Sequence, residues 1–91
     1  MNIKLYLFVQ KGCRPCAYVE QQLRSIDGWD KFVVLIDATK PSSKNMVMKY
    51  EVIGTPTLVA EKPDGSTMKI SKPTEMNKTF WKQLLDKMSS L

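Results

Sequence analysis

Apolar residues in the first half of the chain follow a strand, helix, strand pattern. Residues 3–9 and 32–36 are almost continuously apolar, which predicts two strands that are covered on both faces. From residue 16 to residue 26, apolar side chains recur at helical spacing, which predicts an amphipathic helix that ends at Asp27-Gly28. A strand, helix, strand order with a crossover of this length predicts a parallel strand pair, with the first strand central in its sheet.

The second half of the chain predicts a short helix, a hairpin and a final helix. Residues 40–43 supply a proline and candidate N-caps for the short helix. Residues 57–60 and 66–70 flank a Pro-Asp-Gly turn, which predicts two short strands, and residues 76–88 have helical apolar spacing. The order β-α-β-α-β-β-α predicts one α/β domain over residues 1–91, with a four-stranded mixed sheet flanked by three helices.

Composition narrows the possible partners. The chain has 91 residues, of which 43% are hydrophobic, so one domain should bury roughly two-thirds of its unfolded surface. Its formal charge is +5, but the basic residues are scattered, so we interpret them as solvated surface and expect no nucleic-acid partner. The sequence shows neither a signal-peptide pattern nor a membrane span, so we expect a cytoplasmic protein with no membrane contact. We also expect a monomer.

The only two cysteines, Cys13 and Cys16, lie between the first strand and the first helix, where open α/β sheets form their sites. At the helix N-terminus, Cys13 should be exposed and favoured as a thiolate, which makes it the predicted nucleophile. The positive charges of Lys11 and Arg14 should lower its pKa further. Cys16 begins the apolar stripe of the helix, so we expect it to be the buried, resolving thiol.

Other roles for the two cysteines are less favoured by the composition. A structural zinc site takes four Cys or His ligands, and this chain has two cysteines and no histidine, so only a zinc-bridged dimer remains open. A purely structural disulfide would close a very short loop and would be reduced in the cytosol. The absence of histidine also removes the usual base of a hydrolytic cysteine. A redox pair is therefore the leading interpretation.

Two motifs carry a resemblance to a known superfamily. The segment CRPC at residues 13–16, with Pro15 directly before the second cysteine, resembles the thioredoxin signature Cys-Gly-Pro-Cys. The segment YEVIGTPTL at residues 50–58 is similar to the thioredoxin stretch that ends in a cis-proline loop. The chain thus resembles the thioredoxin and glutaredoxin superfamily over nearly its whole length, which implies a thioredoxin-like fold.

The resemblance also implies how a substrate would bind. Pro56 should follow a cis peptide bond after Thr55 and face the cysteines, which leaves the backbone of Thr55 to pair with a substrate strand. Tyr18, in the first helical turn, is a candidate for lining the substrate groove, although simple packing explains it equally well.

Departures from the thioredoxin pattern indicate a compact variant. Thioredoxins usually carry a tryptophan directly before the first cysteine and a buried aspartate six residues before it, whereas this chain has Gly12 and Leu7. The first strand begins near residue 2, as in glutaredoxins. Glutathione-using glutaredoxins add a Gly-Gly and an acidic residue after the hairpin, but residues 68–73 read MKISKP. A glutaredoxin-sized thioredoxin is therefore favoured over a glutaredoxin.

The resulting prediction is a dithiol-disulfide oxidoreductase that reduces protein disulfides through Cys13 and Cys16, with no bound cofactor or metal. By resemblance, its electrons would come from a flavoprotein reductase or from glutathione, and ribonucleotide reductase could receive them. The alternatives are a glutathione-dependent glutaredoxin and a redox-inactive binding module, including the zinc-bridged dimer.

Overall fold

Four strands and three α-helices follow one another in the predicted order in a computed structural model, which describes residues 2–90. The elements are β1 (Lys4–Val9), α1 (Arg14–Arg24), β2 (Val33–Asp37), α2 (Lys44–Lys49), β3 (Thr57–Glu61), β4 (Thr67–Ile70) and α3 (Lys78–Ser89). Short 3-10 turns cover Trp29–Lys31, Pro41–Ser43 and Pro73–Glu75. The α/β prediction with a four-stranded sheet and three helices is confirmed.

The strands form one mixed sheet in the order β2-β1-β3-β4. β1 is parallel to β2 and antiparallel to β3, and β3 pairs with β4 as an antiparallel hairpin. The predicted central position of the first strand is therefore correct. Because the carboxyl end of β1 leads directly into α1, the sheet delivers the residues between them to one end of the molecule.

The alternation of β1 separates two apolar cores on opposite faces of the sheet. Leu5, Leu7 and Val9 point to one face, where they pack in a cluster with side chains of α1 and α3. That cluster also contains Cys16, Val19, Leu23, Trp81 and Leu85. Each of these side chains is at most 8% exposed, so the two long helices are fixed to the sheet mainly by apolar burial.

The other face of the sheet is covered by α2 and the residues that follow it. Phe8, Ile36 and Val59 contribute from three strands, and Tyr50, directly after α2, packs on them with 7% exposure. The Tyr50 ring lies 6.4 Å from the Phe8 ring, centroid to centroid, in an edge-to-face arrangement. This second core holds the segment that leads into the loop before β3.

Strand β2 differs from its prediction. Its apolar run was expected to be covered on both faces, but β2 lies at the edge of the sheet, and Val34 is 53% exposed. The short helix α2 covers only part of this face, so the outer position stays open. A continuous apolar run does not by itself distinguish an edge strand from a central one.

Two helix boundaries also differ from the sequence pattern. α1 ends at Arg24, and the N–H of Ile26 then donates to the carbonyl of Leu23 three residues back instead of four, so the chain leaves the helix before Asp27-Gly28. α3 begins only at Lys78, because the side chain of Asn77 accepts a hydrogen bond from the N–H of Phe80. Across residues 2–90, no helix combines the length and apolarity needed to cross a bilayer.

The buried phenol of Tyr50 predicts a pH dependence of stability. Burial, followed by the hydrogen bond and charge of Glu61, raises its pKa to about 12. The folded protein therefore keeps this proton where the unfolded chain, with a pKa near 10, loses it. Its contribution to the unfolding free energy is complete below pH 10 and is lost as pH rises toward 12, by up to about 1.4 kcal/mol per pH unit.

The matched variant is Tyr50→Phe, which keeps the ring and removes the titrating group. Urea unfolding at pH 8 and at steps from 10 to 11.5 should show the wild-type protein losing stability relative to the variant only in the upper range. Lysine titration affects both proteins and cancels in the difference. A difference in unfolding free energy between the two proteins that stays the same at every pH would contradict the raised pKa of Tyr50.

Candidate active site

The reactive segment is built by the start of α1. Gly12 has a φ of 77°, in the left-handed region, and Cys13 then adopts an extended backbone with a φ of −89° and a ψ of 107°. Cys13 is the N-cap of α1, and its Sγ accepts a hydrogen bond from the backbone N–H of Cys16 at 3.2 Å. Pro15 lies in the first turn, where the missing N–H costs no helical hydrogen bond.

The two cysteines are joined as a disulfide and differ sharply in burial. Their Cα atoms lie 5.2 Å apart, within the usual range for a disulfide. Cys16 is 1% exposed and belongs to the core, whereas Cys13 is only partly buried. An approaching thiol or disulfide therefore reaches the sulfur of Cys13 first, which is the arrangement that the sequence predicted for an attacking and a resolving thiol.

The loop before β3 brings Thr55 against Cys13, although 42 positions separate them in sequence. The carbonyl oxygen and the Oγ1 atom of Thr55 each lie 3.8 Å from Cys13 Sγ. The Thr55–Pro56 peptide bond is cis, and Pro56 is buried. The last pair between β1 and β3 is Phe8 with Thr57, so Thr55 lies beyond the strand ladder. The structure thus brings Thr55, the residue before the cis bond to Pro56, against the cysteine segment.

Two clefts adjoin the contact between Cys13 and Thr55, one lined by Cys13 and the other by Thr55. The first, which we call the polar cleft, has a volume of about 620 Å³ and is lined by residues that include Lys11, Cys13, Cys16, Glu20, Gln21 and Arg24. The second, which we call the aliphatic cleft, has a volume of about 280 Å³ and is lined by residues that include Ala38, Val47, Val52, Ile53 and Thr55. Gln10 lines both, so the clefts meet beside the active-site turn.

The two charged residues that were expected to lower the pKa of Cys13 lie on either side of it in the sequence. Lys11 is exposed and lines the polar cleft, and Arg14 is exposed at the first residue of α1. Arg24 is already engaged, because its Nε lies 3.2 Å from the Glu20 carboxylate and its guanidinium stacks 5.0 Å from the ring centre of Trp29. Lys11 and Arg14 thus flank Cys13 in the sequence with exposed side chains, and their effect on its pKa stays a prediction.

Asp37 ends β2 beside Val9, near this turn, but it is engaged locally. One of its carboxylate oxygens accepts from the backbone N–H of Thr39 at 2.9 Å and from the Thr39 hydroxyl at 2.6 Å. These hydrogen bonds lower the pKa of Asp37, and the charges of Lys40 and Lys11 lower it further. The carboxylate therefore caps a turn rather than holding a proton for the cysteines.

Three residues show how far the sequence could indicate the site. Tyr18 is 41% exposed and lines neither cleft, so its substrate role stays a prediction. Ile53 and Gln10 were not identified from the sequence, although both line clefts at the site. The position of Ile53, two residues before Thr55 in the motif, was the one available signal. Within residues 2–90, no group of three or more His, Cys, Asp or Glu side chains is placed to hold a metal.

Comparisons with known proteins place the fold. Neither a protein-family model nor a curated protein matches the chain. The germline-specific thioredoxin Deadhead of Drosophila melanogaster superposes with a TM-score of 0.65 at 20% identity, over 99% of this chain and 81% of that one. Fasciola hepatica thioredoxin gives 0.70 at 17% identity, over 94% and 80%. A disulphide isomerase of Xylella fastidiosa gives 0.57 at 19% identity, over 97% and 79%.

Because the sequence identities are 20% or lower, the similarity to these structures concerns the fold alone. The chain has a thioredoxin-like fold of compact size, as its two motifs predicted. Its Cys-x-x-Cys disulfide lies at the start of α1, the first helix of this chain.

The turn before Cys13 predicts a stability difference between two glycines. Gly12→Ala should lower the unfolding free energy by about 1 kcal/mol, because an L-residue in the left-handed region costs about 1–2 kcal/mol. Added bulk does not explain the loss, since a Cβ at Gly12 would meet nothing within 4 Å. Urea unfolding of the wild-type protein, Gly12→Ala and Gly54→Ala measures the differences in unfolding free energy.

Gly54→Ala is the matched control, because a Cβ there is equally unhindered and the residue is outside the positive-φ region. It should be neutral or stabilising by up to about 1 kcal/mol, through loss of unfolded-state freedom. Equal effects at both positions would contradict the backbone explanation.

Proposed function

We propose that this protein is a thiol-disulfide oxidoreductase that reduces protein disulfides through Cys13 and Cys16. The observation that carries the proposal is the position of Cys13 Sγ, which is the accessible sulfur of a disulfide, caps a helix and lies 3.8 Å from Thr55. The thioredoxins and the disulphide isomerase with the same fold support this class of chemistry.

The reduced form would react in two steps. The Cys13 thiolate attacks one sulfur of a substrate disulfide, forms a mixed disulfide and releases the first substrate thiolate, which takes up a proton. Cys16, as a thiolate after losing its proton, then attacks Cys13 Sγ, closes the internal disulfide and releases the second substrate thiol. Two electrons pass to the substrate, and the protein is left in the disulfide form that the structure shows.

Several groups favour the Cys13 thiolate over the thiol. The N–H of Cys16 already points at its Sγ, and the positive end of α1 lies at the same place. The Thr55 hydroxyl at 3.8 Å becomes a second donor when charge develops on the sulfur. Lys11 and Arg14 add positive charge through solvent, where screening keeps each contribution small.

Thr55 offers a place for the substrate chain. Because it lies beyond the last β1–β3 pair, its backbone can pair with an extended segment that passes Cys13. Such pairing would hold a substrate cysteine beside Cys13 without requiring a particular sequence. We therefore propose Cys13 and Cys16 as catalytic, and Thr55 and Pro56 as substrate-binding.

We propose a flavoprotein reductase as the source of electrons, with glutathione as the alternative and ribonucleotide reductase as one candidate acceptor. The two sources separate in one assay: glutathione alone, at millimolar concentration, either reduces the oxidised protein within minutes or leaves it oxidised. We further propose that the protein acts as a cytoplasmic monomer.

Cys16→Ser is expected to trap the mixed disulfide. With the resolving thiol removed, Cys13 should stay bonded to half of a disulfide-linked peptide dimer, and intact-protein mass should rise by one peptide. Cys13→Ser should form no adduct and should reduce the peptide only at the uncatalysed rate. Adduct formation by Cys13→Ser but not by Cys16→Ser would reverse the proposed roles.

An equilibrium redox titration tests the proposal as a whole. We expect a reversible two-electron midpoint between about −280 and −180 mV, with alkylated thiols counted by mass at each poise. No internal disulfide at any poise, or a midpoint well below about −300 mV, would indicate a zinc-bridged or structural pair instead. Metal content and solution mass of the reduced protein would then identify the zinc-bridged dimer.

Arg14→Gly should lower the reduction potential by about 5–20 mV. Arg14 stabilises the thiolate and hence the reduced form, so its removal makes the disulfide harder to reduce. Arg14→Lys keeps the charge and should retain most of the wild-type potential. The same titration measures all three proteins, and a potential that stays or rises in Arg14→Gly would reject this role.

A further inference from the structure

We infer that the site selects disulfides in which one cysteine has an aliphatic residue two positions away on one side and an acidic residue two positions away on the other. The inference rests on the proposed function and adds the chemistry of the substrate segment. It is carried by the aliphatic and polar clefts, which meet at Gln10 and adjoin Thr55 and Cys13 respectively.

Ile53 is the main observation in favour of an aliphatic contact. Its side chain is 100% exposed, it belongs to neither apolar core, and it lines the aliphatic cleft beside Val47 and Val52. A single exposed aliphatic residue is ordinary on a protein surface. This one lies beside the aliphatic side chains of Val47 and Val52 in a cleft that continues to Thr55, so an aliphatic side chain placed against them would bury apolar area on both partners.

The polar cleft differs from the aliphatic cleft in having charged side chains in its lining. Glu20 and Arg24 both line it, but they form an ion pair at 3.2 Å and largely cancel each other. Lys11 remains as the net charge of the lining. Asp37, the nearby acid, lines neither cleft and accepts its hydrogen bonds from Thr39. An acidic side chain is therefore the complementary occupant.

The geometry of an extended chain connects the two clefts. In a strand, residues two positions apart point to the same face and lie about 6–7 Å apart along the chain. If a substrate cysteine points at Cys13, its neighbours at two positions before and after also face the protein, while the adjacent residues point away. One such neighbour meets the aliphatic cleft on the Thr55 side, and the other meets the polar cleft.

The test uses symmetric disulfide dimers of the capped peptide Ser-X-Ser-Cys-Ser-Z-Ser. The pair X and Z is Leu and Glu, Glu and Leu, Leu and Lys, Lys and Leu, Ser and Glu, Glu and Ser, or Ser and Ser, so that both chain directions are covered and Leu can be compared with Ser at constant charge. Reduced protein is mixed with excess peptide dimer, and the second-order rate constant is taken from the loss of protein thiols. In each turnover the peptide disulfide breaks, two peptide thiols form, and the Cys13–Cys16 bond closes.

One of the two Leu and Glu peptides should react about tenfold faster than the Ser peptide. In Ile53→Ser, the advantage of Leu should fall to within about twofold, whereas Val34→Ser, an exposed aliphatic residue outside both clefts, should keep it. In Lys11→Gln, the advantage of Glu over Lys should shrink, as it should for the wild-type protein at 1 M salt. Lys82→Gln, exposed on α3, is the matched control for charge.

The outcomes distinguish failure of this inference from failure of the proposed oxidoreductase function. Equal rates for all peptides would overturn the inference and leave the oxidoreductase standing. A preference for Leu that survives Ile53→Ser would equally overturn the aliphatic contact, and a Glu preference that survives Lys11→Gln would overturn the charged one. If no peptide is reduced, the proposed function fails, and the inference fails with it.

Discussion

The hydrogen bond from the Cys16 N–H to Cys13 Sγ is the interaction on which the site depends. It makes the reactive sulfur the N-cap of α1, so the residue that starts the helix also fixes the position of the sulfur. The apolar stripe of the same helix then buries Cys16 in the core. A chemical requirement, one accessible and one protected sulfur within reach of each other, is thereby met by ordinary helix capping and amphipathic packing.

The other half of the site depends on strand register. β3 is held against the central strand by the pairing of Phe8 with Thr57, and the loop just before that pair reaches Cys13 through Thr55. A slip of one residue would turn the buried Leu58 and Val59 to the wrong faces, so both apolar cores fix this register. The apolar contacts of β3 therefore help to hold the Thr55 loop against the cysteine turn.

The sequence predicted what depends on local pattern. The apolar run of β1, the helical spacing of α1 and the two cysteines at their junction were sufficient for the element order and for the contrast between Cys13 and Cys16. The exposure of Val34 was beyond such reasoning, because an edge strand and a central one can share the same residues. The exposure of Ile53 was missed for a related reason: a cleft exists only after α2 and β3 have packed.

The open side of β2 has a consequence for how this architecture can vary. Val33–Asp37 pairs with β1 along one side only, within residues 2–90, and it lies at the sheet edge opposite the β3–β4 hairpin. A further strand can join there by backbone hydrogen bonding without displacing the cysteine turn or the Thr55 loop. The fold thus separates the sheet edge at which a strand can be added from the end of the central strand at which the cysteines lie.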